Sequence, residues 1–129
     1  MSDKFTVEII TPDKSILKSE VSEVTIPSYE GQMGILRDHI PLITFLRPGL
    51  IVTNGKEEKK YYVEEGTVEF FDNNLLILSS TARNLAELNQ SSIEDLLNQA
   101  DSKLNTANFS DKEKYLLSYK ISTLKEINQ

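Results

Sequence analysis

Residues 28–51, SYEGQMGILRDHIPLITFLRPGLI, decide how this chain folds. The stretch opens on Tyr29-Glu30-Gly31, adds Gly34, carries the single histidine, His39, before Ile40-Pro41, and closes on Arg47-Pro48-Gly49. Glycine reaches φ > 0, where other side chains clash. Proline fixes φ and removes a backbone donor, so it marks a turn or a strand edge. Only short apolar runs lie between these breakers, Ile35-Leu36 and residues 41–46. The pattern predicts a cluster of short strands whose backbone path matters more than its side-chain chemistry.

The flanks read the same way. Phe5, Val7 and Ile9 alternate with Thr6 and Glu8, the period of a half-buried strand. Thr11-Pro12-Asp13 is a turn, and a second strand begins at Ile16-Leu17. Val24 and Ile26 belong to a third strand that Pro27 is expected to stop. Beyond the deciding stretch, residues 50–53 form a strand, and Asn54-Gly55 is a strong two-residue hairpin signal. Residues 56–60 then make a solvated arm. Tyr61 and Val63 continue it, Gly66 marks a bulge or bend, and residues 67–71 pair with 75–79 across Asp72-Asn73-Asn74. Eight to ten short strands by Ser80 predict an antiparallel β-sandwich, assigned to residues 1–83.

The period changes at Asn84, and residues 84–129 are assigned to a linker and a two-helix hairpin. Ile93, Leu96, Leu97, Ala100 and Leu104 make one helical stripe, with Ser91 or Ser92 as the expected N-cap. Residues 105–109 read as a connection. Ser110 with Glu113 forms a capping-box pattern, and Leu117, Ile121 and Leu124 make a second stripe, flanked by Leu116 and Ile127. Short helices are marginal in water alone, so the hairpin must pack on something. Tyr61, Tyr62, Phe70 and Phe71 put large apolar groups on both faces of their strands. That calls for a core plus a second covering layer, either the hairpin or a partner protein.

Composition excludes several classes. The 129 residues contain no cysteine and carry a formal charge of −6. An acidic chain without a basic run is a poor nucleic-acid ligand, and no apolar run approaches the ~20 residues needed to span a bilayer, so no direct membrane insertion is expected. One histidine and no cysteine make a zinc site implausible. No nucleophile elbow accompanies His39, which reads as a packed loop residue. Gly31-Gln32-Met33-Gly34 lacks the lysine and the strand-to-helix setting of a phosphate loop. Glu57-Glu58 and Glu64-Glu65 are adjacent carboxylates that point to opposite faces of a strand. No catalytic residue, metal or cofactor is assigned. Two classes remain open: a subunit of a larger assembly, and a free-standing sandwich with a helical lid over a small ligand.

Residues 30–36 (EGQMGIL), 39–44 (HIPLIT) and 46–51 (LRPGLI) resemble, in order and spacing, the epsilon subunit of the bacterial F-type ATP synthase. The resemblance extends over essentially the whole chain. It implies a non-catalytic central-stalk subunit with an N-terminal β-sandwich and a C-terminal αα-hairpin, coupling ion-driven rotation of the c-ring to ATP synthesis. Its implied partners are the gamma subunit, the c-ring and, with the hairpin extended, the catalytic alpha and beta subunits. It places Glu30, Gly31, Gln32, Met33 and His39 in the segment facing the c-ring. Gln32 stands where many relatives carry an acid, so a hydrogen bond rather than a salt bridge is expected there. Lys112, Lys114 and Lys120 become candidates for contacting acidic groups on beta and restraining ATP hydrolysis. The nucleotide motif D-x-x-R-A of some members is replaced by Asn89-Gln90-Ser91-Ser92-Ile93, so no ATP binding is expected. The implied location is peripheral, on the cytoplasmic face of a bacterial inner membrane.

Overall fold

A computed structural model describes residues 3–106 and 110–127, the side chains of 104–106 excepted. The strands are β1 (Phe5–Ile10), β2 (Ser15–Val21), β3 (Glu23–Ser28), β4 (Gly31–Leu36), β5 (Leu42–Leu46), β6 (Gly49–Asn54), β7 (Glu58–Val63), β8 (Gly66–Phe71), β9 (Asn74–Leu78) and β10 (Arg83–Asn84). A 3-10 turn, Leu85–Glu87, leads to α1 (Gln90–Thr106) and α2 (Asp111–Ile127). The strands follow one hydrogen-bonded path, β10-β7-β6-β3-β5-β8-β9-β1-β2, with β4 added to β3. Neighbours run antiparallel except β1 and β9, which are parallel. The path folds over itself into the sandwich that the alternation predicted.

Register explains the core. Val7, Leu75 and Phe70 share one cross-strand row, and Ile9, Ile77 and Val68 the next. In a pleated sheet, directly opposed residues share a face, so these rows point inward with Val24, Ile26, Ile35, Ile51 and Tyr61. Phe5 meets Phe70 edge to face at 5.6 Å, a favoured geometry for aromatic pairs.

The deciding stretch closes on itself. The Tyr29 amide donates to the Phe45 carbonyl (3.2 Å) and the Arg47 amide to the Pro27 carbonyl (3.0 Å). Gly49 sits so close to Pro27 that a Cβ there would fall 2.5 Å from the proline Cβ. Gly31 opens β4 with φ +122°, a conformation that L side chains rarely adopt.

Several sequence expectations need correction. Pro27 does not stop β3. The strand changes partner around it, pairing with β6 through Thr25 and with β5 at Ser28, so a missing N–H falls where the ladder on one side is already interrupted. Asn54-Gly55 is not a two-residue hairpin turn. Asn54 pairs with Glu58, leaving residues 55–57 as the loop, and Gly55 is needed because a Cβ would lie 2.9 Å from the Glu20 carbonyl oxygen. The turn expected across Asp72-Asn73-Asn74 is present but one residue tighter: Asp72 and Asn73, both at positive φ (50° and 59°), lie between Phe71 and its partner Asn74. The α1 cap is Asn89, whose Oδ1 accepts from the Ser92 amide at 2.7 Å, not Ser91 or Ser92. Asn105 and Thr106 continue α1 rather than forming a connection. Residues 107–109 and the Leu104 side chain lie outside the described residues.

The hairpin itself follows the predicted stripes. Ile93 and Leu124 are buried with Tyr62, and Leu50, Leu88, Leu96, Leu97 and Ile127 pack around them. Ser110 Oγ accepts from the Glu113 amide (3.2 Å) and donates to its carboxylate (3.1 Å), capping α2. Tyr61 therefore faces the sandwich core while its neighbour Tyr62 faces the hairpin.

Candidate functional site

The outer faces of the sandwich differ, and that difference defines the candidate site. Leu50 and Tyr62 oppose each other on β6 and β7, and the hairpin covers them. On the other outer face the rows are Phe45–Thr67–Leu78 and Ile43–Glu69–Leu76. Among the described residues nothing covers this face, and Ile43, Phe45 and Leu78 remain 75%, 56% and 45% exposed. Phe71, two positions beyond Glu69 on the same face, is 64% exposed. Of the four aromatics expected to fill a core and a covering layer, Tyr61 and Phe70 lie in the core, Tyr62 has the hairpin over it, and Phe71 has no cover among the described residues. An apolar patch of this kind marks an interaction surface.

The residues assigned to a c-ring contact fall into two groups. Glu30 is exposed on the β3–β4 turn, its amide donating to Ser28 Oγ (3.2 Å) while that hydroxyl donates to the Gly31 carbonyl (2.6 Å). Gln32 is exposed beside it, and Met33 is half-buried against the core. His39 lies beyond the other end of β4, a six-residue strand about 16 Å long. Its amide donates to the Leu36 carbonyl, its Nδ1 lies 2.7 Å from the Ile40 carbonyl, and its ring meets Phe70 edge-on at 5.9 Å. The neighbouring Asp38, at φ 66°, is held by Asn73, which accepts from its amide (2.7 Å) and donates to its carboxylate (2.9 Å). Leu36 and Ile40 add exposed apolar surface at this end.

The hairpin lysines also separate. Lys112 and Lys114 are exposed. Lys120 lies against the sandwich, its Nζ 3.3 Å from Glu64 Oε1, with both side chains mostly buried. The Tyr62 hydroxyl donates to the second Glu64 oxygen at 3.1 Å. Burial first, then the Glu64 charge and hydrogen bond, push the Tyr62 phenol well above its ordinary pKa. Burial, followed by Glu87, raises that of Tyr61.

Sequence reasoning missed the tyrosines of α2. Tyr115 stacks on Tyr29 (6.4 Å, 16° between planes) and meets Tyr119 edge-on at 4.8 Å. The Arg47 guanidinium lies 4.0 Å above the Tyr119 ring and donates to the Tyr115 hydroxyl at 3.2 Å. Their spacing of four residues was the available signal, since i and i+4 share a helix face.

Among the described residues no cluster of three or more His, Cys, Asp or Glu could hold a metal ion, and no helix is long and apolar enough to cross a membrane. The arrangement offers surfaces for other proteins.

Residues 4–85 match the family model for the β-sandwich domain of the ATP synthase delta/epsilon chain. The chain is 45% identical over 130 residues to the ATP synthase epsilon chain of Pelagibacter ubique (strain HTCC1062), covering 99% of this chain and 100% of that one. It is 33% identical over 123 residues to the ATP synthase epsilon chain of Dichelobacter nodosus (strain VCS1703A), covering 88% and 86%. Its fold superposes on a chain from the Euglena gracilis mitochondrial ATP synthase OSCP/F1/c-ring structure with a TM-score of 0.81 at 19% identity, covering 100% of this chain and 84% of that one. A chain from the central stalk/c-ring structure of the Tetrahymena thermophila mitochondrial ATP synthase gives 0.67 at 17% identity, covering 96% of each. By sequence over its full length, the chain belongs to the ATP synthase epsilon chain family.

Proposed function

We propose that this chain, a non-catalytic epsilon chain of ATP synthase by family, works in the rotor by binding the gamma subunit through its open sandwich face. The observation that carries this reading is the contrast between the two outer faces. The hairpin already covers Leu50 and Tyr62, whereas Ile43, Phe45 and Leu78 stay exposed. The foot of the subunit rests on the c-ring, and the turn at Glu30, Gly31, Gln32 and Met33 and the His39 end are its candidate contacts. These lie at opposite ends of β4, so one flat surface engages both only if it runs along that strand. The complex holds the chain peripherally at the cytoplasmic face of a bacterial inner membrane.

The hairpin is the regulatory element of this reading. Lys112 and Lys114 are free to meet acidic groups on beta, while Lys120 must first leave Glu64. A hairpin that docks through a small apolar core and a few polar contacts meets the requirement of a two-state element, namely packings within a few kcal/mol of each other.

The test is a membrane-reconstituted complex assembled without this chain. ATP hydrolysis should persist while ATP-driven ion pumping fails, and adding the full chain back should restore pumping. Pumping that is normal without the chain would refute a coupling role.

A further inference from the structure

The ring of Tyr29 belongs to the β3–β4 turn and the ring of Tyr115 to α2, yet the two stack with 16° between their planes. The stack is anchored from both sides. On the turn side, the Tyr29 amide donates to the Phe45 carbonyl and the Arg47 amide to the Pro27 carbonyl, stitching the two ends of residues 27–47 together. On the helix side, the Tyr119 ring packs edge-on against Tyr115, and Arg47 spans both tyrosines, above one ring and bonded to the other hydroxyl. The turn that carries Glu30 and Gly31 is thus clamped by a helix distant in sequence.

We infer that Tyr29, Arg47 and Tyr115 form a coupling element: docking of the hairpin stiffens the β3–β4 turn, and the intact turn favours docking. The stack exists only while α2 lies on the sandwich. Undocking removes its partner and leaves Tyr29 and Glu30 held by their local hydrogen bonds alone. Coupling between two sites is reciprocal, so a partner that grips the turn with the Tyr29 ring in place favours the docked hairpin. A partner that takes the ring for itself releases it. The inference concerns the isolated chain and stands whether or not the chain works in the rotor.

The test is amide hydrogen exchange on the full chain and its variants. Tyr115→Ala should speed exchange of the Tyr29 and Glu30 amides about two- to tenfold, the factor that an aromatic pair supplies, with the buried Ile26 amide unchanged as the control. Tyr115→Phe keeps the ring and loses the Arg47 bond, so it should stay nearer the wild-type rates. Unchanged Tyr29 and Glu30 rates in a folded Tyr115→Ala protein overturn the inference. A second arm uses Tyr29→Ala, which leaves the hairpin sequence intact. The absence of cysteine allows a dye pair at Lys18→Cys and Lys125→Cys, both exposed positions. A distance distribution shifted toward separation supports the coupling, and an unshifted one overturns it.

Discussion

Lys120 on α2 places its ammonium 3.3 Å from Glu64 on the sandwich, and Glu64 is held from its other oxygen by the Tyr62 hydroxyl. The pair ties a hairpin lysine to the domain it leans on. The same ammonium cannot reach another protein until that tie is broken, which sets Lys120 apart from Lys112 and Lys114.

Removing Lys120 should therefore loosen the hairpin, whereas removing Lys112 should not. A mostly buried pair lies between the ~0.2–1 kcal/mol of an exposed ion pair and the ~3–5 kcal/mol of breaking a buried one. Lys120→Ala should cost about 1–3 kcal/mol of hairpin docking, and Lys112→Ala under about 0.5 kcal/mol. Chemical denaturation followed by helical circular dichroism, with an independent probe of the sandwich, measures both.

The pH dependence of docking follows from Tyr62. Its folded pKa is raised above the ordinary value of about 10, so the folded state keeps the phenol proton more tightly than the unfolded state does. Its contribution is fully present below pH about 10 and declines as pH rises further. Stability profiles of the wild type and Tyr62→Phe should run parallel below pH about 9 and converge above about 10. A constant offset across the alkaline range would show that Tyr62 does not titrate in this way.

Gly49→Ala tests the closed stretch. The added Cβ meets the Pro27 ring at 2.5 and 2.8 Å, and a proline ring inside a strand cannot swing aside. Overpacking of this kind costs about 1–3 kcal/mol. Thermal melting should show the loss as a lower Tm with the strand content retained.

Deleting residues 89–129 should raise ATP hydrolysis by the assembled complex if the hairpin restrains it. Steady-state hydrolysis with full-length and shortened chains measures this directly, and equal rates would leave the hairpin a structural role only.

Much of the sandwich was legible because period-two alternation in β1 and β3 and the breakers around residues 28–51 are local signals. Partner exchange is not local. Pro27 looked like a stop because no sequence pattern shows that β3 passes from β6 to β5 around it. Asn54-Gly55 looked like the tightest turn, yet Gly55 serves close approach to Glu20, and the two-residue positive-φ turn is the one at Asp72-Asn73. The apolar stripes gave the hairpin, whereas the Tyr29–Tyr115 stack and the Lys120–Glu64 pair stayed hidden because each joins residues more than fifty positions apart. The division of Glu30 and His39 between opposite ends of β4 became visible only with the strand bounds.

The most direct measurement is the affinity of the full chain for purified gamma subunit, compared with Ile43→Asp and Phe45→Asp. Each change puts a charge on the open face without touching the core. A central apolar contact is worth about 2 kcal/mol or more, so each variant should bind at least about tenfold more weakly while melting like the wild type. Affinity unchanged by both substitutions would contradict the claim that this face receives the partner.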